Sequence, residues 1–339
     1  MSTLKTTNIQ NASAASPAIV LAADGSATAQ VSSLNGGPLA GARNRIINGD
    51  MRIAQRGSAS FSSVTGLFGG CDRWRLELTG FGSASGTVQQ AGSLAQTGSS
   101  KSSGFVNEAF LTTTGSGTIQ FTQRIEAQNC NDLNGKSITV TFSLLQDTGS
   151  AVTPYVQIIK PAALDNWSTP TVVFSQALAS LPSGTLTKYT YSVTLGSSDA
   201  SNGLAVALGF TIGAVTNKYF QITDVQLEPG TVATPFERRS YGQELALCQR
   251  YYEEVDGQFK FDGNLGGATI SVGHTWFCQV SKRSTPTVSV LTESGGNVNN
   301  ISSVTPKSNN AAFCIWEYTN GTAIGARAKA AVIRFVAEL

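Results

Sequence analysis

Histidine occurs once in 339 residues, at His274, and charged side chains make up only 13% of the chain. That histidine is in strand phase with Ile270, Val272, Trp276 and Cys278, which marks it as a core residue and removes Ser-His and Cys-His nucleophile schemes. Asp and Glu total 21, few for an extended acidic cleft, and the adjacent Glu253 and Glu254 point to different faces of either a strand or a helix. No apolar run approaches the roughly 20 residues of a membrane-spanning helix. "MSTLKTTNIQ" lacks the apolar core of a secretory signal, so the expectation is a chain made and kept soluble, without membrane insertion. A formal net charge of +2, with Lys and Arg scattered, does not supply the footprint of a nucleic-acid binder. The five cysteines, Cys71, Cys130, Cys248, Cys278 and Cys314, are far apart and show no C-x-x-C spacing. They read as reduced core thiols, as folding in a reducing cytoplasm would leave them. No P-loop or G-x-G-x-x-G stands in a strand-to-helix setting, so no cofactor is expected.

What the chain does have is 35 Gly, 38 Ser and 36 Thr, a composition suited to short strands and tight turns. The expected class is all-β. Ile138, Val140, Phe142 and Leu144 share one face of a period-two pattern. So do Tyr189, Tyr191, Val193 and Leu195, and again Leu204, Val206, Leu208, Phe210 and Ile212. Asn48-Gly49, Asn134-Gly135 and Asn202-Gly203 punctuate these runs at intervals suited to a jelly-roll β-sandwich over 44–238. Apolar phase passes from Phe220 and Ile222 to Val225 and Leu227, a one-residue slip that places a bulge near Asp224. Residues 255–339 repeat the alternation in a smaller C-terminal β domain, ending in Ala331, Ile333, Phe335, Ala337 and Leu339.

Residues 1–43 are rich in Ala, Ser and Gly and cannot form a core alone. Ile19 and Leu21, then Ala27, Ala29 and Val31, alternate around Asp24-Gly25 as a hairpin would, and an isolated ribbon is marginal in water. The segment is therefore either a disordered tail or an arm that docks on another protein. "QLEPGTVATPFERRSYGQELALCQRYYEEV", residues 226–255, breaks the β grammar. Ser240 and Gln243 form a capping box for a short helical connector within 239–254. Tyr241, Leu245, Cys248 and Tyr252 then follow at spacings of four, three and four. A stripe this narrow is suited to an oligomer seam between like helices about a threefold axis, or to packing as a hinge on the chain's own β domains.

Several of these stretches also resemble a family. "NRIINGDMRIAQRG" (44–57), "CDRWRL" (71–76), "LNGKSITVTFSL" (133–144) and "QLEPGTVATPFERRSYGQELALCQRYYE" occur here in an order similar to bacteriophage tail-fibre and virion surface proteins with a carbohydrate-binding-module-like jelly roll. The resemblance spans Asn44 to about Tyr252. It departs at Met51 and Ala54, where the family shows larger aromatics, which argues against an aromatic sugar platform there.

The resemblance implies a homotrimeric virion protein, a tail fibre anchored to other phage proteins through residues 1–43 and attaching to a host-surface glycan or envelope component. A capsid-decorating head fibre or vertex protein with a purely structural role is one alternative, and a polysaccharide depolymerase is another. It also implies a structural calcium between the N-G-D turn and the last strand, where Asp50 and Asp224 stand, although two aspartates are far from the six to eight oxygens calcium takes. Sugar binding would use exposed rings and planar amides. Of Trp74, Tyr155, Trp167, Trp276 and Trp316, Trp74 is in phase with Leu76 and Leu78 and belongs to the core. Trp167, in the loop "DNWSTP", is the expected glycan contact. No catalytic residue is assigned, and the chain is read as a non-enzyme.

Overall fold

The computed structural model describes residues 6, 8–9, 19–21, 23–24, 27–29, 43–62, 65–91, 104–262, 270–294, 301–309, 311–318 and 326–339. In the arm, strands β1 (Asn8–Ile9), β2 (Ile19–Leu21) and β3 (Ala27–Ala29) form an antiparallel ribbon. Ile19 faces Ala29 and Leu21 faces Ala27, the hairpin expected from the alternation around Asp24. Val31 lies outside the described residues. Ile9, Val20 and Leu21 are all solvent-exposed.

The strands from 59 to 229 make two six-stranded antiparallel sheets, a jelly-roll sandwich. Those strands are β4 (Ala59–Ser62), β5 (Thr65–Phe68), β6 (Arg75–Thr79), β7 (Ser83–Ala91), β8 (Val106–Thr114), β9 (Gly117–Ile125), β10 (Ser137–Gln146), β11 (Pro154–Lys160), β12 (Thr171–Ala177), β13 (Thr187–Thr194), β14 (Leu204–Ile212) and β15 (Val215–Pro229). The first sheet runs β13-β10-β15-β8-β7-β4 and the second β12-β11-β14-β9-β6-β5. Alternation puts Ile138, Val140, Phe142 and Leu144 of β10 opposite Leu204, Val206, Leu208 and Phe210 of β14, all in one core with Trp74. Phe142 stacks on Tyr189 and Phe210 tilts against Phe220, with ring centroids 5.8 and 5.2 Å apart.

The slip in β15 is a bulge at the expected place. Thr141 pairs with Gln226 and Ser143 with Thr223, so Phe142 alone faces both Asp224 and Val225. Asp224 takes φ +52°, and the extra residue lets Ile222 and Val225 both enter the core. At the bulge the Val225 amide donates to Gly49 O at 2.9 Å. A Cβ on Gly49 would sit 2.1 Å from Val225 O, so only glycine permits this approach.

Helix α1 (Tyr241–Gln249) opens with the capping box of Ser240 and Gln243. The C-terminal unit holds two three-stranded sheets. One is β16 (Tyr252–Asp262), β21 (Ala326–Val336) and β18 (Thr287–Ser294), and the other is β17 (Ile270–Phe277), β20 (Ala311–Tyr318) and β19 (Ile301–Ser308). Cys71, Cys130 and Cys248 are buried free thiols and Cys278 is half-buried. The side chains of His274, Cys314 and Trp316 lie outside those described.

The polar 226–255 stretch fastens this unit to the sandwich. Glu338 pairs with both Arg73 and Arg56, and the Arg73 guanidinium lies 3.4 Å over the Tyr251 ring. Arg56 stands 3.7 Å over Tyr252. Arg250 binds Glu126 through two nitrogens, at 3.1 and 2.9 Å. Fully buried Lys282 donates to Gln249 O at 2.6 Å, closing the helix C-terminus, and pairs with Glu253. Burial alone would raise the Glu126 carboxyl, but hydrogen bonds from Arg250 and Tyr251 and the charges of Arg250 and Arg283 outweigh it and hold the pKa below the ordinary value.

Two outcomes follow. Glu338→Ala strands the buried Arg73 charge and lowers unfolding free energy by about 3 kcal/mol in urea titration, whereas a loss below about 1 kcal/mol would show the pair to be dispensable. A depressed folded-state pKa at Glu126 means its stabilisation is full above the unfolded glutamate value and disappears as pH falls through the lower folded value. The stability gap between the wild type and Glu126→Gln, about 2 kcal/mol at pH 7, therefore closes on acidification. A gap unchanged down to pH 2 would contradict the assignment.

Candidate functional site

The core-facing residues of β14 are large, and the intervening ones, Ala205, Ala207 and Gly209, are small. They face outward from the second sheet, in the middle of its width. The register sets Tyr155 beside Gly209, Gly209 beside Gln120, and Gln120 beside Glu77. The next row is Ser175, Gln157, Ala207, Thr122 and Arg75. The third sets Ile159 beside Ala205 and Ala205 beside Arg124.

Because the middle strand offers almost no side-chain height, rings from its neighbours lie down across it. A Cβ on Gly209 would come within 2.2 Å of the Tyr155 ring, which therefore lies against bare backbone. The Tyr155 hydroxyl donates to Gln120 Oε1 at 2.9 Å, and Gln120 Nε2 donates to Glu77 Oε2 at 3.1 Å and Thr122 Oγ1 at 3.0 Å. Glu77 pairs with Arg75. Gln157 Nε2 reaches Ser175 Oγ at 3.2 Å. Burial, and then the Glu77 carboxylate, push the Tyr155 phenol up, so it stays a neutral donor. The result is a half-buried aromatic face fixed in orientation and edged by two planar amides, a carboxylate and hydroxyls.

Trp167 shares this face but not in the expected way. It is only 9% exposed, laid over Ile159, Ala205 and Ala207 and packed against Leu339. The Arg124 guanidinium stands 5.1 Å from its ring and donates to Leu339 O at 2.5 Å. The loop carrying Trp167 folds back because the alanines leave an apolar hollow large enough for an indole. The ring that this face leaves half-exposed is instead Tyr155. Trp74 is core as expected, its Nε1 donating to Asn48 O at 3.2 Å, and Trp276 is buried.

Asp50 and Asp224 do come together, but around Arg238. Its Nη1 lies 3.3 Å from Asp50 and its Nη2 4.0 Å from Asp224, and Arg52 adds a second guanidinium to Asp50 at 2.5 Å. Arg238 stands between the two carboxylates, and no group of three or more His, Cys, Asp or Glu suited to a metal occurs among the described residues. The pair does not fit calcium.

The four residues of the expected seam do not form one: the helix ends at Gln249, and Tyr252 is the first residue of β16. Cys248 and Tyr252 are buried within the chain, with Glu244 on the same covered side, while Tyr241 is 56% exposed and Leu245 half-buried. Glu244 reaches inward because its carboxylate accepts from the Asn48 amide and from Arg239. A spacing count treats glutamate as outward and misses that pull.

Gln120, Gln157, Glu77 and Gly209 were not singled out from sequence. Their signal was the small-residue phase of "LAVALGF" opposite its large one, and the partners became evident only with strand order.

No protein-family model and no curated protein sequence matches the chain. Among solved structures, TmCBM61 in complex with beta-1,4-galactotriose is 11% identical, covering 56% of this chain and 100% of that one, at TM-score 0.33. The family 11 carbohydrate-binding module from Clostridium thermocellum, with a mixed-linked tetrasaccharide, is 16% identical over 51% of this chain and 100% of its own, at TM-score 0.30. The enzymatically active domain of bacteriophage CBA120 tailspike protein 4 is 13% identical over 55% of this chain, at TM-score 0.32, and this chain spans 21% of its length. At such TM-scores these likenesses carry no argument about activity, and the sandwich rests on its own strand pairing.

Gly209→Ala lifts the Tyr155 ring and costs about 1–3 kcal/mol through overpacking. In a Tyr155→Ala background the same change costs little. A double-mutant cycle in urea checks this, and simple additivity would mean that the ring does not depend on the glycine.

Proposed function

We propose that the Tyr155 face binds a host-surface glycan and that the chain is an attachment protein of a bacteriophage virion, a tail fibre that acts without catalysis. The supporting observation is the Tyr155 ring, packed on the bare backbone of Gly209 and pinned by Gln120 before any ligand arrives. A pyranose stacks its apolar C–H face on such a ring while amides such as Gln157 and Gln120 bond its hydroxyls, and a preformed platform loses little entropy on binding. Glu77 is the carboxylate of this patch, and it is tied to Arg75 and Gln120 rather than opposed to a second carboxylate across a sugar-sized gap.

The resemblance of the N-G-D, D-R-W and Q-L-E-P-G stretches to virion surface proteins supports the location. In this reading residues 1–43 anchor the chain to the particle and three copies assemble. The uncovered Ile9, Val20 and Leu21 of the arm and the exposed Tyr241 on α1 give sibling chains surface to cover. Single-sugar contacts are weak, and three in parallel supply avidity.

A glycan array probed with the whole chain tests the binding claim. A set of host glycans retained by the wild type and lost by Tyr155→Ala is expected, with affinity falling roughly tenfold or more. Binding unaffected by that change would remove the platform. No retention of any glycan, with incorporation into particles intact, would favour the decorating role, and release of reducing ends from host polysaccharide would restore the depolymerase. Light scattering of the whole chain reports the assembly, and a stable monomer overturns the trimer.

A further inference from the structure

The outward face of the first sheet carries a second, unrelated arrangement. One row runs Gln89, Glu108, Gln221 and Leu145, and the adjacent row Thr87, Phe110 and Tyr219. Phe110 is 38% exposed, unusual for a phenylalanine in a wide sheet, and the half-buried Tyr219 is its cross-strand neighbour. Glu108 is only 9% exposed. Gln89 Nε2 donates to its Oε1 at 2.7 Å and Gln221 Nε2 donates to its Oε2.

No ion pair neutralises Glu108 among the described residues. That sets it apart from the buried carboxylates of the junction, Glu126, Glu228, Glu244, Glu253 and Glu338, each of which meets an Arg or a Lys. A buried carboxylate held only by neutral amides has no cation among the described residues to offset its charge. Gln221 is 4% exposed, and with its amide nitrogen committed to Glu108 its Oε1 has no hydrogen-bond partner. Asp147 lies beside the same rings, accepting from the Tyr219 amide at 2.7 Å, and Lys218 approaches Asp147 only at 3.9 Å. Burial first, then Asp147 and Glu108, raise the Tyr219 phenol, which places both carboxylates within electrostatic reach of that ring. The patch thus sets two carboxylates and an unpaired amide oxygen beside two aromatic rings, with Lys218 its nearest cation, on the Asp147 side.

We propose that this face is a second binding site and that it takes a protonated amino sugar. The ammonium sits against the Glu108 carboxylate and the sugar face packs on Phe110. Charge complementarity selects the occupant: a cation gains from the carboxylate and from the negative faces of the rings together, whereas an N-acetylated or acidic sugar gains from neither. The site does not depend on the Tyr155 face, which lies on the other sheet.

Calorimetric titration of the whole chain with a fully deacetylated glucosamine tetramer, and with its N-acetylated counterpart, tests the proposal. The deacetylated tetramer is expected to bind at least about tenfold tighter, since charge and cation–π terms both require the ammonium. Glu108→Gln and, separately, Phe110→Ser are expected to lose that preference. Phe110 is solvent-exposed, so its replacement keeps the test valid even if the buried Glu108 variant folds poorly. Tyr155→Ala removes the platform on the other sheet and is expected to keep the preference for the deacetylated tetramer. Equal binding of the two tetramers, no binding of the deacetylated one, or retention of the preference in Phe110→Ser overturns the proposal. Loss in Tyr155→Ala also overturns it, by assigning the sugar to the other face.

Discussion

Glu338 is a single carboxylate shared by two guanidiniums of the sandwich, Arg56 and Arg73, and the arrangement of the junction depends on it. Arg73 is buried, has φ +73°, and lies against Tyr251. Removing charges from water is costly, and opposite charge together with hydrogen bonds to the buried groups offsets that cost. Matching here runs outward from Arg73, whose Nη2 donates to Arg124 O at 2.7 Å, while the Ala337 amide bonds Tyr251 O at 2.8 Å. A β unit whose own sheets have only three strands each thereby gains a rigid neighbour.

The same logic explains why the motif stretches look unlike the rest of the chain. Asn48 donates through Nδ2 to Ile53 O and Asp72 O and accepts from Ile53 N through Oδ1. Glu228, fully buried, accepts from Arg43, Gln226 and Thr234. These residues stand in for turns that backbone pairing alone could not hold, since the segments at 44–57, 71–74 and 230–240 carry little ladder structure of their own. Their polarity is internal architecture.

The alternation in the sequence was enough to read the sandwich, the bulge at Asp224, the arm hairpin and the capping box, because each is a local consequence of side-chain phase or of a short-range hydrogen bond. The faces were harder to read. Trp167 sits in a polar loop, and only the strand order shows that Ala205 and Ala207 open a hollow beneath it. Cys248 and Tyr252 follow a helical spacing, yet the pull of Asn48 and Arg239 on Glu244 decides which side of α1 is covered. Asp50 and Asp224 were correctly brought near each other, but a sequence does not show that Arg238 arrives between them. Tyr155 and Phe110 became distinguishable from core rings once cross-strand neighbours, Gly209 in one case and Tyr219 in the other, were known.

The way the chain enters the sandwich also has a mechanical meaning. Arg43 bonds Glu228 and Pro229 O, Asn44 bonds Glu237 and receives Leu227 N, and Arg45 N donates to Leu227 O. Tension transmitted from the ribbon would load these contacts together, along the flank of a central strand, instead of unzipping them singly. The same strand carries Gln221 and Tyr219 at its other half, beyond the bulge. A tug at the leading end would thus fall first on the half of β15 that holds Leu227 and Glu228, with the irregularity at Asp224 between it and Tyr219.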